Sequence, residues 1–479
     1  MDLKELRNEI DLLDDRIAEL FIERMDVVTR VRIGSSLMFD NRRIFALVIP
    51  LMAEQLLNAA IGFFDTLMVS SCGEAAVSGV ALVDTISILV ITVFTAISTG
   101  GTIVASQYLG RGEKDKANVA ANQVFLSTLF ISLLLALACC LLRKPLLLGI
   151  FGAIEDDVLS SALSYFLMLG ISYPFVAQYN TCSAILRANG NSLTPMIVSV
   201  IMNLINVGGN ALCIFGFNMG AMGAGLATLV SRIIGFIILF VLIRRPSFEV
   251  GLSTLFPIKP DFPIIKSVLA IGIPTGVENV IFHAGKLIVQ RFVTSYGTMH
   301  IAANSIASTI TNVPVILCCS FGLALTTIVG QCMGAGKTDQ ARYYTKRMLR
   351  DCWMLLIVLC TGMFFLRYPI ASIYKLEGPT MELTADLLAI SSIASLLFWT
   401  PSFIPTYTLR AAGDVKFVML VGIISMWVCR VGLAYVFGTL LGLKSIGVLL
   451  GMCVDWLCRG VIFIVRFAGN KWTMRKVLS

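Results

Sequence analysis

The first chemical signal is a polar stripe on an apolar background. Glu54, Asn58 and Asp65 stand at i, i+4 and i+11 in the apolar stretch 44–70, so they share one face of a helix. A second apolar stretch carries Asn203, Asn206 and Asn210 at helical spacing, and a third carries Thr228. Amide and hydroxyl oxygens beside a carboxylate are the hard donors that a small cation such as Na⁺ needs. A lone carboxylate in an apolar pocket suits proton uptake instead, because burial disfavours its charged form. Asp65, Asn206, Asn210 and Thr228 are therefore a candidate site for either H⁺ or Na⁺.

Another stripe, Asn279, His283, Lys286 and Gln290, runs at i, i+4, i+7 and i+11 with Glu278 beside it. Its His and Lys either exchange protons and pair across a cavity, or join a buried ion pair that only holds helices together. Asp455 and Arg459, at i and i+4, read as a mutually neutralising pair, and Arg232 and Arg430 as cations of the same kind with partners elsewhere. The two histidines, His283 and His300, make no convincing metal site. No GxxxxGK[ST] loop appears, so neither catalysis nor ATP hydrolysis is expected, and no cofactor. Most of the thirteen cysteines fall in apolar stretches without a CxxC pair and read as small packing residues.

The elements that must position these groups are membrane spans. With 57% hydrophobic and 14% charged residues, the chain is far less charged than the roughly 25% of a soluble domain. Windows of about 19 residues find twelve apolar stretches. They fall at 44–70, 82–107, 118–142, 159–181, 194–217, 222–243, 268–296, 302–330, 348–366, 383–407, 416–440 and 445–468. The net charge of +8 gathers in the loops on one side, among them Arg111, Lys114, Arg187, Arg244, Arg245, Lys337 and Arg342. That asymmetry predicts both termini on the cytoplasmic side of the cell membrane and makes nucleic acid an improbable partner. The first thirty residues are charged throughout and lack the apolar core of a cleavable signal.

The chain repeats itself. Pro50 aligns with Pro274, Glu54 with Glu278, Gln107 with Gln331, Gly110 with Gly334 and Asp115 with Asp339, each 224 positions apart, and LRANG at 186–190 returns as LRAAG at 409–413. Each half holds six spans, so both enter the bilayer from the same side. The expected fold is an all-α membrane protein of two six-helix bundles, related by a pseudo-twofold axis along the membrane normal. A substrate path would lie between them. The lobes are assigned to 38–243 and 268–479, with 244–267 as a proline-containing linker. Asp65 and Asn206 have Val289 and Cys429 at their repeat positions, so the cation site is expected in the first lobe alone.

The segments VASQYLGRGEKDKA, IVGQCMGAGKTDQA, IPLMAEQLL…GFFDTLMV and NVGGNALCIFGFNMGAMGAGLAT resemble the multidrug and toxic compound extrusion (MATE) family over residues 40–470. The resemblance implies a cation-coupled antiporter that exports small, mostly cationic organic compounds by alternating access. Within it, Asp65 matches the first-span aspartate, and Asn206 and Thr228 match two ligands of the family's ion site. Asn210 replaces an acid four residues after the asparagine. Some members carry a glutamate eight residues after the proline of the seventh span; that place is Phe282, one turn beyond Glu278. A lipid-linked saccharide flippase of related architecture is the alternative; it would need a cationic cavity for pyrophosphate.

Residues 1–37 are of another kind. Leu3, Leu6, Ile10, Leu13, Ile17 and Leu20 recur on a charged helix, the pattern of an amphipathic segment suited to weak self-association. The stretch is similar to the first helix of the all-helical (AroQ-type) chorismate mutases, which would make Arg7 and Arg24 carboxylate-binding arginines. The later helices of such a site are missing, so no mutase activity is expected.

Overall fold

The structure, a computed structural model, describes residues 37–245, 248–252, 260–374, 376, 378–475 and 477. The amphipathic segment with Arg7 and Arg24, and much of the linker, lie outside these. The chain divides into two compact units, residues 1–44 and 45–479. Among the described residues twelve helices are long and apolar enough to cross a membrane. They are span 1 (Asn41–Ser70), span 2 (Glu74–Gly110), span 3 (Lys114–Leu141), span 4 (Asp156–Ala188), span 5 (Leu193–Gly216) and span 6 (Gly220–Ile243). Span 7 (Phe262–Ser295), span 8 (Thr298–Gly334), span 9 (Thr338–Phe365), span 10 (Gly378–Ala411), span 11 (Val415–Leu440) and span 12 (Lys444–Ala468) follow. All twelve coincide with the apolar stretches of the sequence.

The helices overshoot those stretches because their ends are polar but helix-competent. Span 2 begins eight residues before its apolar window, at Glu74, an acid in the first turn where the helix dipole favours it. The lipid-facing side is explicit on span 3, where Phe130, Leu133, Leu134, Leu137 and Leu141 are 52–72% exposed at helical spacing. In water such a row would be an aggregation surface; in a bilayer it faces acyl chains.

Spans 2, 3, 4, 5 and 6 pack on one another, and spans 8 to 12 do likewise, with span 7 against span 11. Short helices at Arg143–Phe151 and Arg367–Ile373 occupy equivalent places after spans 3 and 9, 224 residues apart. The repeat is thus structural as well as sequential. The two lobes meet where spans 2 and 8 end, on the membrane face that also carries the linker; we call it the linker face. Gln107 donates to the Ala411 carbonyl at 2.7 Å, and its repeat mate Gln331 donates to the Ala188 carbonyl at 2.9 Å. A Cβ on Gly110 would lie 2.0 Å from the Gln331 carbonyl oxygen, and one on Gly334 2.0 Å from that of Gln107. Only glycine lets the two helix backbones approach this closely.

Candidate functional site

Spans 1, 5 and 6 bring the predicted cation ligands together. The Asn210 amide nitrogen donates to an Asp65 carboxylate oxygen at 2.5 Å and, more weakly, to the Asn206 oxygen at 3.4 Å. Asn206 in turn donates to the Thr228 hydroxyl at 3.2 Å. The spacing that put Asn206 and Asn210 one turn apart is what stacks their amides. Asn210 is fully buried, and its amide oxygen has no hydrogen-bond partner. A buried, unpaired acceptor next to a carboxylate is the arrangement that a proton or a small cation would satisfy.

Span 1 sorts the rest of its stripe differently. Asn58 accepts from Ser199 at 3.2 Å, and Asn203 donates to the same hydroxyl at 3.4 Å, so these polar groups tie spans 1 and 5 together two turns away from Asp65. Glu54 lies three turns from Asp65 and receives both of its bonds from the Arg187 guanidinium, at 2.8 and 2.9 Å. The second lobe repeats that pair: Arg410 donates to Glu278 at 2.8 Å. Arg187 and Arg410 are the arginines of LRANG and LRAAG. The repeat therefore preserves a buried ion pair in both lobes, while the candidate cation ligands occur in one.

Two further groups flank the Asp65 site: Asp84, which escaped sequence reasoning, and Arg232, read there only as a cation with a partner elsewhere. Asp84 on span 2 accepts from Tyr165 at 3.1 Å and is an electrostatic neighbour of Asp65. Arg232 on span 6 donates to Ser172 at 2.7 Å and is close enough to act on both carboxylates. The available signal for Asp84 was an acid two residues inside an apolar window, with no second ionisable residue at helical spacing to draw attention to it.

The second lobe holds a cavity of about 400 Å³ framed by spans 7, 8, 10, 11 and 12. Lys286 and Arg430 line it together with Phe282, Trp399, Trp456 and Gln290, and no Asp or Glu does. Lys286 and Arg430 stand 5.3 and 5.6 Å from the centre of the Phe282 ring. Asp455 and Arg459 form the expected pair at 2.8 Å, and Arg430 reaches Asp455 at only 3.8 Å. His283 packs edge-on against Phe282, while His300 bonds Ser445 at 3.0 Å. Among the described residues no cluster of three His, Cys, Asp or Glu side chains could hold a metal.

Comparison with known proteins places this arrangement. The model of the MatE family matches residues 50–212 and 274–436, one copy in each half. The chain is 28% identical over 442 residues to "Uncharacterized transporter YisQ" of Bacillus subtilis, covering 90% of this chain and 95% of the relative. It is 27% identical over 452 residues to "Probable multidrug resistance protein NorM" of Thermotoga maritima, covering 92% and 94%. Among solved structures, the outward-facing conformation of a multidrug resistance MATE family transporter of the MOP superfamily superimposes with a TM-score of 0.82. That match has 17% identity and covers 89% of this chain and 94% of that one.

Proposed function

The chain belongs to the MatE family, and on that premise we propose that it is a cation-coupled antiporter exporting organic compounds from the cell by alternating access. The observation that carries this reading is the Asp65–Asn210 bond beside an unpaired, fully buried amide oxygen. With Asp65 ionised and empty, Asn210 offers its nitrogen. When a proton or Na⁺ sits on the carboxylate, the amide gains by turning its oxygen toward the site, with Asn206 and Thr228 supplying further oxygens. One carboxylate at the site itself is enough for a proton and sparse for Na⁺, so H⁺ is the coupling ion favoured by the replacement of an acid by Asn210.

Coupling requires ion and cargo to favour different states of the protein. Asp65 lies in the half of span 1 away from the linker face, where Gly110 and Gly334 bring the lobes together. An ion arriving there neutralises Asp65, weakens its hold on an organic cation, and so drives cargo outward. The same reading places the termini and the linker in the cytoplasm and the protein in the plasma membrane.

The test is export from membrane vesicles under an imposed pH gradient or an imposed Na⁺ gradient. Wild-type protein exports an organic cation under the first. Asp65→Asn, still present in the membrane, exports under neither. Normal export by that variant overturns the proposal.

A further inference from the structure

We infer that the cavity of the second lobe is a binding site for an organic anion, an aromatic carboxylate. The inference rests on the transporter reading only for its biological use, since the site can be probed without transport. The two lobes have opposite polarity in their halves away from the linker face. The first gathers Asp65 and Asp84 about one arginine, Arg232. The second gathers Lys286 and Arg430 about a cavity that no carboxylate lines. Arg459 takes one oxygen of Asp455 at 2.8 Å, and Arg430 stands 3.8 Å from the other, beyond hydrogen-bond distance. No ion pair forms on Lys286 among the described residues; its ammonium rests instead over the face of Phe282.

A cation on a ring face is held by far less than an ion pair supplies, so an entering carboxylate gains contacts that the protein itself does not satisfy. Its oxygens can meet the two cations, both of which neighbour Phe282. Behind that head the walls are aromatic. Trp399 stacks on Phe403 with ring centres 5.1 Å apart, and Trp456 meets Phe403 edge-on at 6.0 Å. These surfaces suit a flat ring body. Gln290 and Asn304, which bond each other weakly at 3.4 Å, add amides to the lining.

The backbone is shaped for this cavity. Span 10 widens into a π turn at Ser395–Trp399 and span 11 into another at Ser425–Gly432. Those turns present Ser395, Trp399 and Arg430 to the cavity. Wide turns of this kind re-aim side chains and concentrate at functional sites. At about 400 Å³ the cavity falls in the range of small-molecule sites.

The experiment is calorimetric titration of the purified full chain with 1-naphthoate and with 1-naphthylmethylammonium, which share the ring system and differ in the sign of the charge. The anion is expected to bind at least about ten-fold more tightly. Lys286→Gln is expected to weaken naphthoate at least about ten-fold, and Lys286→Arg to retain it. Ser308→Trp, which fills the cavity from an exposed position on span 8, abolishes binding. Asp65→Asn leaves naphthoate binding intact, so failure of the coupling reading and failure of this one are separable. Equal or tighter binding of the ammonium, or undiminished binding by Lys286→Gln, overturns the proposal. Inorganic pyrophosphate that binds more tightly than naphthoate also overturns it, in favour of a phosphate head group.

Discussion

Replacing Gly110 with alanine tests whether the linker-face contact holds the lobes in the state seen here. The added Cβ would stand 2.0 Å from the Gln331 carbonyl oxygen and 2.8 and 2.9 Å from the Gln331 carbonyl carbon and Cα. Carbon–oxygen contacts settle at about 3.3 Å, so spans 2 and 8 must part by about 1.3 Å. These neighbours are backbone atoms of a helix and have no rotamer to give. The same movement stretches the Gln107–Ala411 and Gln331–Ala188 bonds, now 2.7 and 2.9 Å, past the limit of a useful hydrogen bond. Two such bonds contribute about 1–3 kcal/mol together, and overpacking costs roughly 1–3 kcal/mol more. Even the low end of about 2 kcal/mol shifts a two-state equilibrium more than ten-fold. Ser106 reports the shift: it is fully buried, and its Cβ lies 2.8 Å from where a Cβ on Gly330 of span 8 would be. In a background without the thirteen native cysteines, Ser106→Cys should react with a maleimide at least about ten-fold faster when Gly110→Ala is added. An unchanged rate would refute the reasoning that this contact is a closed seal.

Three other outcomes are expected. Glu54→Gln leaves the one-fifth-exposed Arg187 without its partner and should lower stability by roughly 2–4 kcal/mol, somewhat under the figure for fully buried pairs; Glu54→Gln/Arg187→Gln should recover part of that in thermal unfolding, and additive losses would contradict it. Asp84→Asn should alter the ion concentration needed for half-maximal export while leaving the maximal rate within about two-fold, because Asp84 acts on Asp65 through space; total loss of export would make it a ligand instead. Trp472→Ala, which removes a fully buried ring stacked on Phe467 with its N–H bonded to the Phe467 carbonyl, should cost about 3–5 kcal/mol by unfolding in detergent, and a loss under 1 kcal/mol would count against that packing.

The spans were legible because the bilayer imposes one simple pattern, a long apolar helix, on every crossing. The hydrogen-bonded chain of Asp65, Asn206, Asn210 and Thr228 was legible for a related reason. Polar groups are rare inside spans, and helical spacing shows which of them share a face. Partner identity was not. Glu54 and Arg187 are 133 residues apart and Glu278 and Arg410 are 132, so only packing could pair them, although both arginines were visible as members of the repeat. The second-lobe cavity was less visible still. Its aromatic walls and its two cations come from four spans, and each residue taken singly reads as ordinary core or as a charge seeking a partner.

The role of Asp65 as carrier of the coupling cation is tested most directly by cation exchange at equilibrium on the purified protein. Proton release and bound radioactive sodium are followed as an organic cation is added. Wild-type protein should release about one cation for each cargo bound, as the linkage between the two requires, and Asp65→Asn should release none. Equal release by both proteins would contradict it.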